Sequence, residues 1–223
     1  MTPAATSATP VHVILEVGTK RVFASALEWP GWSRSGRDEA GALAALVTYA
    51  DRYRTVARRA RTRFPAHPEF EVIERLPGGG ATDFGVPDRV AEVERVAPTP
   101  AEARRLAALV EAAWRTLDAV AAGAPASLRK GPRGGGRDRD AVVQHVLSPE
   151  SASYARAIGL RLAEPTLGDR EAIEASRAAI LAAIRDGGRR DAPETKWPIR
   201  YAARRIAWHV LDHAWEIEDR SEG

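Results

Sequence analysis

Near residue 98 the spacing of apolar residues changes, and that change limits the fold more than any other feature of the sequence. Before it, apolar and β-branched residues come in short runs: Val11 to Val17, Arg21 to Leu27 and Phe70 to Leu76. Runs of this length bounded by turn residues predict strands. Gly18-Thr19-Lys20 predicts a hairpin between the first two, and Trp29-Pro30-Gly31-Trp32 ends the second. Ser35-Gly36-Arg37-Asp38 then supplies a turn and a helix cap. Leu43, Leu46, Val47, Ala50, Tyr53 and Ala57 recur at helical spacing, with arginines on the other face. The order strand, strand, helix, strand predicts a compact ββαβ domain of α+β class over residues 10–90.

Beyond a connector from Asp88 to Pro98, the period becomes that of helices. Thr99-Pro100-Ala101-Glu102 is a helix start, with Thr at the cap, Pro in the first turn and Glu placed to complete a capping box. Leu106, Leu109, Val110, Ala113, Leu117 and Val120 follow on one face, and Gly123-Ala124-Pro125 ends the segment. A second helix is predicted from about Asp138, a third from Asp169 to Asp186, and a fourth from Pro198 to about Asp219. Four amphipathic helices joined by loops predict an all-α, up-down four-helix bundle over residues 98–220.

The chemistry open to such a chain is narrowed by composition. There is no cysteine, so disulfides, thiolate metal ligands and cysteine nucleophiles are excluded. No apolar run approaches the roughly 20 residues that span a bilayer, and Met1-Thr2-Pro3-Ala4-Ala5 lacks the basic and apolar segments of a signal peptide. The expectation is a cytoplasmic protein with no membrane partner. The net charge of +3 comes from 33 basic and 30 acidic residues that are interspersed, which argues against a nucleic-acid partner.

With five histidines, each can be weighed singly. His12 lies in a predicted strand and His67 beside prolines in a loop, positions that suit structural or exposed roles. His209 and His213 are four residues apart in the last helix, hence on one face, which also carries Ile206, Val210 and Ile217. Two inward imidazoles need partners, because burying an unpaired polar group is costly. A metal ion would satisfy both, as would neighbouring side chains or water. His145, among Val142, Val143, Val146 and Leu147 of the second helix, adds a third imidazole in an apolar setting. Three histidines from two helices leave coordination positions open, as catalytic sites do. Pro149 cannot donate to the carbonyl of His145, so the helix is expected to kink or restart there.

Other candidates surround this triad. Asp212 and Glu216 flank the histidines as positioning partners or proton carriers, although a helix flank explains Asp212 equally. The Gly- and Arg-rich loop from Ser127 to Arg137 could hold an anionic small-molecule substrate through Arg133 and Arg137, or be a solvated connection. Tyr154, Trp114, Trp208 and Trp215 could line a pocket or pack a core.

The run from Arg204 to Ile217, with His209, His213 and the upstream His145 in Gln144-His145-Val146-Leu147, resembles the DinB-like superfamily. Its members are four-helix bundles with a His-x-x-x-His pair in the last helix and a third His in the second. The resemblance implies a divalent metal, most often zinc or nickel, on His145, His209 and His213. It also implies hydrolase activity or transfer with a low-molecular-weight thiol cosubstrate, such as mycothiol or bacillithiol. Relatives often have Gln where Glu216 stands. Ala26 to Gly36, followed by Asp38-Glu39-Ala40, resembles the HicB-type antitoxin domain, whose fold is strand, strand, helix, strand. Relatives often dimerise, and Trp29 and Trp32, read as exposed, would suit a homodimer. A competing reading makes the chain a non-catalytic binding or regulatory module, with a partner-recognising first domain and a structural or vestigial metal site.

Overall fold

Trp29-Pro30-Gly31-Trp32 is the pivot of the first unit. Trp32 N–H closes the turn on Trp29 O at 2.9 Å, and Gly31 takes φ 92, a conformation that favours glycine at that corner. The computed structural model describes residues 10–130, 136–189 and 194–221, and the chain divides into two units, Met1–Arg89 and Val90–Gly223. Within the first, β1 (Val11–Val17), β2 (Val22–Ala26), β3 (Ser33–Gly36) and β4 (Phe70–Pro77) form one sheet in the order β3-β2-β1-β4. β1 runs antiparallel to β2 and parallel to β4. The parallel pair needs a crossover, which α1 (Glu39–Thr48) and α2 (Ala50–Arg59) supply. Asp38 caps α1 by accepting from Gly41 N–H at 2.7 Å.

Two expectations for this unit are corrected. The sheet has a further strand, β3, whose Ser-Arg-Ser-Gly sequence shows neither β-branched residues nor alternation; it forms because β2 offers it a partner edge. Trp29 and Trp32 are buried, at 6% and 0% exposure, so they offer no dimer surface. Trp32 stacks on Tyr53 with centroids 5.6 Å apart and donates its indole N–H to Leu46 O at 3.0 Å. Tyr53 O–H in turn donates to Pro30 O at 2.7 Å. The indoles thus join the turn to the helices, and an aromatic ring of this size buries most area when it is placed inside. After β4 comes a short helix, α3 (Gly80–Phe84).

The second unit opens with a 3-10 turn, Glu92–Arg95, inside what the sequence suggested was a plain connector. Then come α4 (Pro100–Gly123), α5 (Arg139–Pro149), a π turn (Glu150–Tyr154) continuing into α6 (Ala155–Ala157), α7 (Arg170–Asp186) and α8 (Ile199–Ser221). The Thr99 capping box forms: Glu102 accepts from Thr99 N–H at 2.8 Å, and Thr99 Oγ1 accepts from Glu102 N–H at 3.3 Å. α4 packs along α8 and α7, while α5 packs on α8 and α4. α5 ends at Pro149, and the chain goes on through the π turn to restart as α6. Lacking an N–H, Pro149 shifts the ladder, and Ala155 N–H reaches Glu150 O, five residues back. Among the described residues, no helix is long and apolar enough to cross a membrane.

α8 is buried on most of its circumference, including the charged Arg204. Arg204 and Glu94 are each 2% exposed and form a forked pair, Nε to Oε1 at 2.6 Å and Nη2 to Oε2 at 2.8 Å. Glu94 also accepts from Ala91 N–H at 2.9 Å. Removing one partner strands the other charge in a dry interior. Glu94→Ala is therefore expected to cost about 3–5 kcal/mol in urea unfolding, while the double change Glu94→Leu with Arg204→Met restores most of that stability.

Candidate metal centre

α5 contributes one imidazole and α8 two, and the packing of these helices brings all three together. One ring nitrogen each from His145, His209 and His213 lies within 4.8 Å of the other two. Ring centroids are 5.4 Å apart for His145 and His209, 4.9 Å for His145 and His213, and 4.8 Å for His209 and His213. The rings meet edge to face instead of stacking.

Each imidazole has a distinct environment. His209 is 6% exposed, and its Nδ1 is buried with no hydrogen-bond partner. Burial, followed by the charges of His213, Arg205 and His145, pushes its pKa down to about 2, so the ring is neutral. His145 is pushed down in the same direction, chiefly by burial and then by His213 and Arg137. His213 Nδ1 lies 2.8 Å from Glu216 Oε2, and Arg220 Nη1 donates to Glu216 Oε1 at 2.7 Å. The hydrogen bond with His213 holds the Glu216 carboxyl below the usual carboxylate range despite its burial. An ionised carboxylate only accepts, so His213 Nδ1 carries a proton.

This donor set fits a borderline divalent cation. Imidazole nitrogens suit zinc, nickel, copper or iron, and the set lacks the oxygen ligands that calcium and magnesium require. The buried Nδ1 of His209 lacks a hydrogen-bond partner, a condition that costs about 1–3 kcal/mol in a dry interior. A carboxylate behind a ligating histidine is the usual orienting partner of such a site, and Glu216 stands in that place.

The other residues singled out from sequence divide. Asp212 is half-buried on α8, about 100° around the helix from His213. Tyr154, 6% exposed, puts its ring 5.7 Å from that of His209. Arg137 is exposed, yet its charge is felt at His145. Arg133 lies outside the described residues. Trp208 borders His209, whereas Trp215 is core and Trp114 donates its indole N–H to Glu150 at 2.7 Å. His12 Nδ1 pairs with Glu28 at 2.5 Å in the first unit, and His67 is exposed.

Two residues escaped the sequence reading. Arg205 precedes His209 by one turn, a spacing that could have flagged it. Glu150 is buried, at 3% exposure, and had no signal beyond its place after Pro149. No family model matches the chain, and comparison with curated proteins and with solved structures likewise returns no match.

Burial raises the Glu150 pKa to about 7, against an ordinary value of 4.5. The folded chain therefore holds this proton more tightly than the unfolded one. Its stabilising share is complete below about pH 4.5 and is lost as pH rises through about 7. Glu150→Gln keeps an acceptor for Trp114 without ionising. It is expected to exceed the parent by on the order of 3 kcal/mol at pH 8, with the gap closing near pH 4.5, in denaturant titrations across that range.

Proposed function

We propose that this chain is a DinB-like protein that binds one divalent metal ion, zinc or nickel, on His145, His209 and His213. In this reading α4, α5, α7 and α8 are the four helices of an up-and-down bundle, and the first unit is a HicB-like accessory domain. The activity is metal-dependent hydrolysis, or transfer involving a low-molecular-weight thiol, on a small-molecule substrate. The observation that carries it is the convergence of one nitrogen from each of the three imidazoles within 4.8 Å of one another.

When bound, a three-imidazole divalent ion lowers the pKa of a water or thiol and makes it a nucleophile near neutral pH. The chain's own residues prepare for this. Burial keeps His145 and His209 neutral, so their lone pairs are not lost to protons. Glu216 accepts a hydrogen bond from His213 Nδ1–H, fixing the tautomer and the ring, and Arg220 anchors Glu216. With no cysteine in the chain, any thiol is a cosubstrate.

Elemental mass spectrometry of the purified protein tests the site. About one divalent ion per chain is expected in the parent, and none in a His145, His209, His213 to Ala variant. No metal in the parent after incubation with zinc or nickel would sink the reading. Glu216→Gln is expected to keep the stoichiometry but weaken metal affinity by about 10–100-fold in competition with a chromogenic chelator. Metal-loaded protein that turns over substrates only when mycothiol or bacillithiol is added would select transfer over hydrolysis.

A further inference from the structure

We propose that Arg205 is the anion-binding residue of this site and that the substrate carries an oxyanion, a carboxylate or a phosphate. The inference rests on the metal-centre reading of the three histidines and names the substrate class for it.

Arg205 stands four residues before His209 on α8, so the two share a face one turn apart. Its Cζ is 5.1 Å from the ring centroid of Tyr154 and 4.7 Å from that of Trp208, within reach of cation–π attraction to both. Both rings border His209, at 5.7 Å and 6.2 Å between centroids. Two buried aromatic faces therefore hold the guanidinium at the edge of the imidazole cluster.

Aromatic faces steady a guanidinium but accept none of its in-plane hydrogen bonds. The Tyr154 hydroxyl also takes a hydrogen bond from Arg205, yet Arg205 Nη1 is buried without a hydrogen-bond partner. Among the described residues no carboxylate pairs with Arg205, whereas its neighbours on α8 are all paired. Arg200 binds Glu102, Arg204 binds Glu94 and Arg220 binds Glu216. The side chain is only half-buried, so a ligand can reach it.

The local charge balance points the same way. Glu216 is already engaged by His213 and Arg220, and Arg137 adds a second positive charge felt at His145. A neutral carbonyl could fill the missing hydrogen bond but would leave this charge uncompensated. An oxyanion answers both, and its two oxygens match the guanidinium fork.

The test uses the full chain in two forms, zinc-loaded with excess metal removed, and treated with EDTA. Each is titrated at constant ionic strength with inorganic phosphate, benzoate and the neutral analogue benzamide, followed by tryptophan fluorescence. Phosphate or benzoate is expected to bind and benzamide not to, and whichever anion binds assigns the phosphate or the carboxylate. Arg205→Gln is expected to weaken the anion by about tenfold or more, with metal content and melting temperature unchanged. Arg205→Lys, which keeps charge but loses the fork, is expected to fall between. Equal anion binding by parent and Arg205→Gln overturns the proposal, as does benzamide binding as tightly as benzoate. Loss of metal or of folding in both variants makes Arg205 structural and overturns it too. A parent that takes up no metal refutes the metal centre alone. Arg205-dependent anion binding by the EDTA-treated chain then still decides for or against this residue.

Discussion

Burial of α8 is the constraint on which the second unit depends. A helix enclosed on most sides gives its polar side chains no water, so each must find a partner in protein. Arg204 finds Glu94, which draws the 3-10 turn before α4 onto the helix. Arg200 reaches Val96 O and Glu102, linking α8 to the start of α4. Arg220 and His213 share Glu216 at the other end. His209 Nδ1 and Arg205 Nη1, at the middle of the helix, are among the buried polar atoms that these bonds leave unmatched.

The missing amide of Pro149 shapes the opposite wall. By forcing a five-residue hydrogen bond, it widens the helix into a π turn that carries Glu150, Ser151 and Tyr154 inward. Tyr154 thereby reaches both His209 and Arg205. Such widened turns recur at functional sites because they re-aim side chains at small cost. Glu150 meets Trp114 and is held close to neutral, so the same turn places a proton-holding carboxyl inside the unit.

Much of this was legible in the sequence where local rules suffice. Thr99, Pro100 and Glu102 announce a helix start because capping is a matter of four consecutive residues. His209 and His213 share a face because the helical period alone puts them there. β3 was not legible, since Ser33–Gly36 has no strand pattern of its own and pairs only because β2 lies alongside. Trp29 and Trp32 looked exposed beside a Pro-Gly turn, yet Tyr53 and Phe64, which close over them, come from later in the chain. Glu216 and Asp212 were indistinguishable by spacing, and the reach of one carboxylate to His213 Nδ1 separates them.

The sequence by itself determined the switch from strands to helices, the helix limits and the face that carries the two paired histidines, all of which follow from backbone period and capping. It also excluded cysteine chemistry. Only the tertiary structure decided that His145 joins them, that Glu216 fixes the tautomer of His213, and that Arg205 is held by two rings with a buried nitrogen unpartnered. These depend on how α5 and the π turn pack against α8, and packing brings together residues that no local period relates.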